Sequence, residues 1–78
     1  MGREKITETL ETHLNKWDME IVEAYLDAKE AYLNTPSADT SAAMHYAFQN
    51  AFFTIKQPMV RGEISRQQFD DLIELIQD

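Results

Sequence analysis

Hydrophobic positions in the first part of the chain recur in steps of three and four: Ile6, Leu10, Leu14, Trp17, Ile21, Ala24, Ala28 and Ala31. That spacing holds side chains on one face of an α-helix. It predicts a first helix over about 5–33, free of Gly and Pro, and ending at Asn34-Thr35-Pro36. The residue before a proline is steered away from helical angles, which supplies the stop. The second half of this helix carries another stripe, Met19, Val22, Leu26 and Leu33, roughly opposite the first. Glu20, Glu23, Asp27 and Glu30 fill the arc on one side between the two. A helix apolar on two faces calls for neighbours on both.

A second helix is expected over about 37–57, its start contested between Thr35 as cap with Pro36 in the first position, and Asp39 as cap. Met44, Ala47, Phe48, Ala51, Phe52 and Ile55 make its main stripe, and Ala43, Ala47 and Ala51 line an edge that permits close helix approach. Tyr46 and Phe53 point the other way. The third helix, about 65–77, has the clearest start. Ser65 stands three before Gln68 as a capping box, Ile64 and Phe69 are spaced for a hydrophobic staple, and Gly62 supplies the preceding turn. Phe69, Leu72, Ile73 and Ile76 form its apolar face, with Asp70, Asp71 and Glu74 toward water.

These elements describe one all-α domain over residues 1–78, a small three-helix bundle with a long N-terminal helix. A helix of that length would run roughly 43 Å at 1.5 Å per residue. A globule of this size is only about 30 Å across. Either the helix breaks near Asn15-Lys16, giving four helices, or it runs through and a second copy covers the overhang. The unbroken spacing through Leu14, Trp17 and Ile21 favours the homodimer, with Ile6, Leu10, Leu14, Trp17, Tyr46 and Phe53 as its interface.

Charge adds to this picture. Fourteen acids against seven bases give a net charge of −7, which opposes attraction to phosphate and anionic lipid. Residues 35–60 hold only Asp39 and Lys56 as charged groups, which suggests that the middle of the chain is the most buried part. The N-terminal stretch is charged, no apolar run approaches a membrane span, and there is no cysteine, so a cytoplasmic location is expected.

Little in the sequence carries chemistry. His13 and His45 belong to no metal-ligand spacing, and Ser37, Ser41 and Ser65 have no nucleophile partners in view. Gly2 and Gly62 cannot build a phosphate-cradling loop, and Gly2 lacks the small or hydroxyl residue that myristoylation needs at Ile6. Neither enzyme activity nor a cofactor is expected. Arg66, Gln67 and Gln68 at a helix start could suggest base contacts, but Asp70, Asp71 and Glu74 follow at once and make nucleic acid an unfavourable partner.

The stretch from Met59-Val60-Arg61-Gly62-Glu63-Ile64-Ser65 to Phe69 and Leu72 resembles the turn-and-helix of the short modules called SHOCT domains. Pro58 and Asp71 depart from that pattern, and no function is carried over. The expectation is therefore a non-enzymatic protein-interaction module acting through a helical, homodimeric surface. The alternative is an acidic inhibitor of a basic target, of the antitoxin, immunity or phage-antagonist kind, docking through Glu20, Glu23, Asp27 and Glu30.

Overall fold

In a computed structural model, residues 3–77 are described and form four helices with no strand among them: α1 (Arg3–Glu11), α2 (Lys16–Asn34), α3 (Ala38–Val60) and α4 (Arg66–Gln77). Gly2 lies outside the described residues. The chain is all-α, with a Cα radius of gyration of 12.4 Å.

The expected helix over 5–33 does not form. It breaks at residues 12–15, and the reason is local. His13 and Leu14 both return their N–H to the Leu10 carbonyl, closing α1. Asn15 then sits in extended backbone and its Oδ1 accepts the Asp18 N–H at 2.9 Å, which caps a new helix. α1 turns back along α2, and Arg3 reaches Asp27 at 2.6 Å.

The break resets the phase of α2. Its buried residues are Met19, Val22, Tyr25 and Leu26, while Trp17 and Ile21 face outward. The longer stripe seen in the sequence is therefore not the core stripe beyond Leu14. Leu33, expected with Met19 and Val22, is exposed near the end of α2.

α3 starts at Ser37, not at Thr35 or Asp39. The Ser37 hydroxyl accepts the Thr40 N–H and the Thr40 hydroxyl accepts the Ser37 N–H, so a threonine completes a reciprocal box. Thr35 instead closes α2, donating its N–H to Ala31. α3 also runs past Gln57 through Pro58 to Val60. Proline there forgoes one N–H in the last turn, and the Glu63 N–H returns to the Pro58 carbonyl to close the end. Gly62 follows with φ +79°, the left-handed region that glycine adopts freely. α4 begins where the sequence indicates: the Ser65 hydroxyl accepts from Gln68, whose side chain accepts the Ser65 N–H at 2.7 Å.

One core joins all four helices. Leu10 and Leu14, Val22 and Leu26, Ala51 and Ile55, and Phe69, Leu72 and Ile76 are all buried in it. An aromatic ladder crosses it from Tyr25 to Phe48, Phe52 and Phe69, each step between 5.2 and 6.1 Å. Lys29 Nζ donates to the carbonyls of Ile76 and Gln77, satisfying the end of α4 from the middle of α2.

Candidate functional site

α1 and α4 pack on the core side of the α2–α3 pair, and the other side of that pair is left open. At 100° per residue, Trp17, Ile21, Ala24, Ala28 and Ala31 share an arc of about 80° on α2. Tyr46, Asn50, Phe53, Gln57 and Val60 share a similar arc of about 80° on α3. Both arcs are turned roughly 150° from the buried side of their helix. Apart from the half-buried Ala28, these positions are exposed, with Trp17 at 75%, Tyr46 at 70%, Val60 at 65% and Phe53 at 60%.

No charged residue falls within the α2 arc, and the α3 arc holds one, the exposed Asp39 in the first turn, seven residues before Tyr46. The sparse charge of residues 35–60 thus does not mark the most buried part of the chain. Only Ala51, Ile55 and Pro58 of α3 are buried, and beyond Asp39 its outer side is an exposed surface without charge. An exposed aromatic row with so little charge around it marks a face that burial against another surface would stabilise.

The six residues expected at a dimer interface are divided by the fold. Leu10 and Leu14 are used in the chain's own core, and Ile6 is half-buried against it, so these three offer little to a second chain. Trp17, Tyr46 and Phe53 remain on the open side. The sequence placed the first three with Trp17 because a continuous helix would have kept them in phase; it missed Val60, which follows Phe53 by seven residues just as Phe53 follows Tyr46.

The acidic flank is also altered. Arg3 of α1 is laid across it, pairing with Asp27 at 2.6 Å and Glu30 at 3.5 Å and donating to the Glu23 carbonyl. Glu23 is half-buried and Glu20 exposed. Two of the four acids expected to meet a basic partner already meet a base of their own chain.

A groove of about 410 Å³ lies between α1, α2 and α4, floored by Ile6, Leu26, Leu33 and Leu75 and edged by Arg3, Lys29 and Glu30. Its edge groups are engaged within the chain, Arg3 with Asp27 and Lys29 with the end of α4. His13 and His45 lie on different segments, and among the described residues no three His, Asp or Glu come together as a metal site. Burial raises the Tyr25 hydroxyl above its ordinary pKa, as an apolar contact on the phenol requires. Among the described residues no helix is long and apolar enough to cross a membrane.

Set beside known proteins, the chain matches no protein-family model, no curated protein and no solved structure. The SHOCT-like stretch is thus a likeness of one turn and one capped helix.

Proposed function

We propose that this chain is a non-enzymatic protein-interaction module, a four-helix bundle whose working surface is the open side of α2 and α3. The observation that carries this reading is the exposed row of Trp17, Tyr46, Phe53 and Val60 on a strip whose one charged group is Asp39 at the start of α3. Trp and Tyr suit a binding face because they bury large area while keeping one polar group to pair. The interior is an apolar packing core, with no buried side-chain N or O lacking a hydrogen bond among the described residues.

The test is capture by the immobilised chain and by a Trp17→Glu, Phe53→Glu variant. Both sites are exposed, so the variant is expected to keep its helical circular dichroism and lose the bound protein. A partner retained equally by both would place the working surface elsewhere.

A further inference from the structure

We infer that the open side of α2 and α3 is covered by a second copy of this chain, related by a two-fold axis perpendicular to the helices at the level of Ala24. The inference rests on reading that side as an interaction surface, and it names the partner.

The first observation is the distribution of side-chain size. Along α2 the outer row runs from large to small: Trp17 and Ile21, then Ala24, Ala28 and Ala31. Its midpoint is Ala24. Along α3 the exposed aromatics Tyr46 and Phe53 are symmetric about Gln49 and Asn50. Tyr25 and Phe48 meet ring to ring at 5.3 Å, so Ala24 and Gln49 lie at one level of the antiparallel pair. The two rows, on different helices, have their centres at the same height.

One two-fold axis at that height serves both rows, as an isologous interface requires. It brings α2 against α2 antiparallel. Trp17 then lies over Ala31 of the second copy, Ile21 over its Ala28, and Ala24 over its Ala24. The same operation sets Phe53 beside Tyr46 of the second copy. Large side chains meet small ones on α2, and aromatic rings meet aromatic rings on α3.

Charge points the same way. A chain of net charge −7 repels its copy over most of its surface. The α2 arc carries no charged group and the α3 arc only Asp39, which the same two-fold sets opposite Val60 of the second copy, so like-charge repulsion is low where these faces meet. Area is in proportion. The three exposed aromatics contribute on the order of 400 Å². That is about half of the roughly 800 Å² per partner of a stable interface. The exposed aliphatic and amide groups between them extend the patch.

The experiment is light scattering after gel filtration, at tens of micromolar chain, on the wild type and on Ala24→Glu, together with oxidation of Ala24→Cys. The wild type is expected at twice the 9.1 kDa of one chain. Ala24→Glu puts two carboxylates against each other on the axis and is expected to give the single-chain mass with unchanged circular dichroism. The native chain has no cysteine, so Ala24→Cys is expected to form a covalent dimer readily, and Thr9→Cys on α1 only slowly. A monomeric wild type overturns the inference, and if it still captures another protein through Trp17 and Phe53, the broader reading survives. A dimer indifferent to Ala24→Glu, or one in which Cys at 24 links no faster than Cys at 9, also overturns it.

Discussion

Asn15 Oδ1 accepts the backbone N–H of Asp18 at 2.9 Å, and this single cap marks where one helix ends its influence and the next begins. With the Asp18 N–H satisfied, α2 starts independently of α1, which turns back along it. Replacing Asn15 by Ala is expected to lower stability by about 1 kcal/mol. For a domain of this size that is a fall of about 4–8 °C in melting temperature. Asn15→Ser should restore most of it, because serine caps comparably. An unchanged melting curve in Asn15→Ala would show that the break does not depend on the cap.

Ile55 and Phe53 stand two residues apart on α3 with opposite surroundings, one fully buried and the other 60% exposed. Ile55→Ala leaves a cavity between the helices and is expected to cost about 2–5 kcal/mol. Phe53→Ala, measured in the Ala24→Glu background so that only the single chain is read, is expected to change stability by less than about 0.5 kcal/mol. Denaturant unfolding of the two variants checks the contrast. Equal losses would mean that Phe53 is part of the chain's own core.

Arg3 holds the start of α1 to α2 through partly exposed side chains, so the pair contributes modestly. Arg3→Ala is expected to cost at most about 1 kcal/mol. Its clearer sign is local: amide exchange of α1 should speed up while that of α2 and α3 stays unchanged. Added salt should have the same effect on the wild type. Uniform acceleration over all four helices would show that α1 opens only with the whole fold.

Arg61 and Glu63 bridge the turn before α4, with Nε to Oε2 at 2.8 Å. Hydrogen bonding from Arg61 holds the Glu63 carboxyl below its ordinary value. A value lowered in the folded state gives stabilisation that is present above the unfolded carboxylate range, about 4.3 for Glu. It is lost as pH falls through the folded value. The group is at the surface, so the effect is small. Thermal scans between neutral and strongly acidic pH should show Glu63→Gln losing a little less stability on acidification than the wild type. A steeper acid loss in the variant would contradict that sign.

Local sequence decides what neighbours a few residues apart can settle. The Ser65–Gln68 box and the Gly62 turn set the start of α4, and Asn34-Thr35-Pro36 sets the end of α2, because caps and proline act through bonds and clashes within a turn. The all-α class follows from the same local periodicity. Even the start of α3 was written locally, in Ser37 and Thr40, though Thr35 and Asp39 offered competing caps.

Which of two apolar stripes on α2 faces inward was settled by packing between the helices. Both are periodic, so periodicity cannot choose between them. Met19, Val22, Tyr25 and Leu26 offer large side chains to α3 and α4, whereas Trp17 and Ile21 are followed by alanines that bury little area. Once α1 folds back, Leu10 and Leu14 join that inward stripe in the shared core, and the outward one remains. The open face is therefore a consequence of packing, and no spacing along the chain could have assigned it.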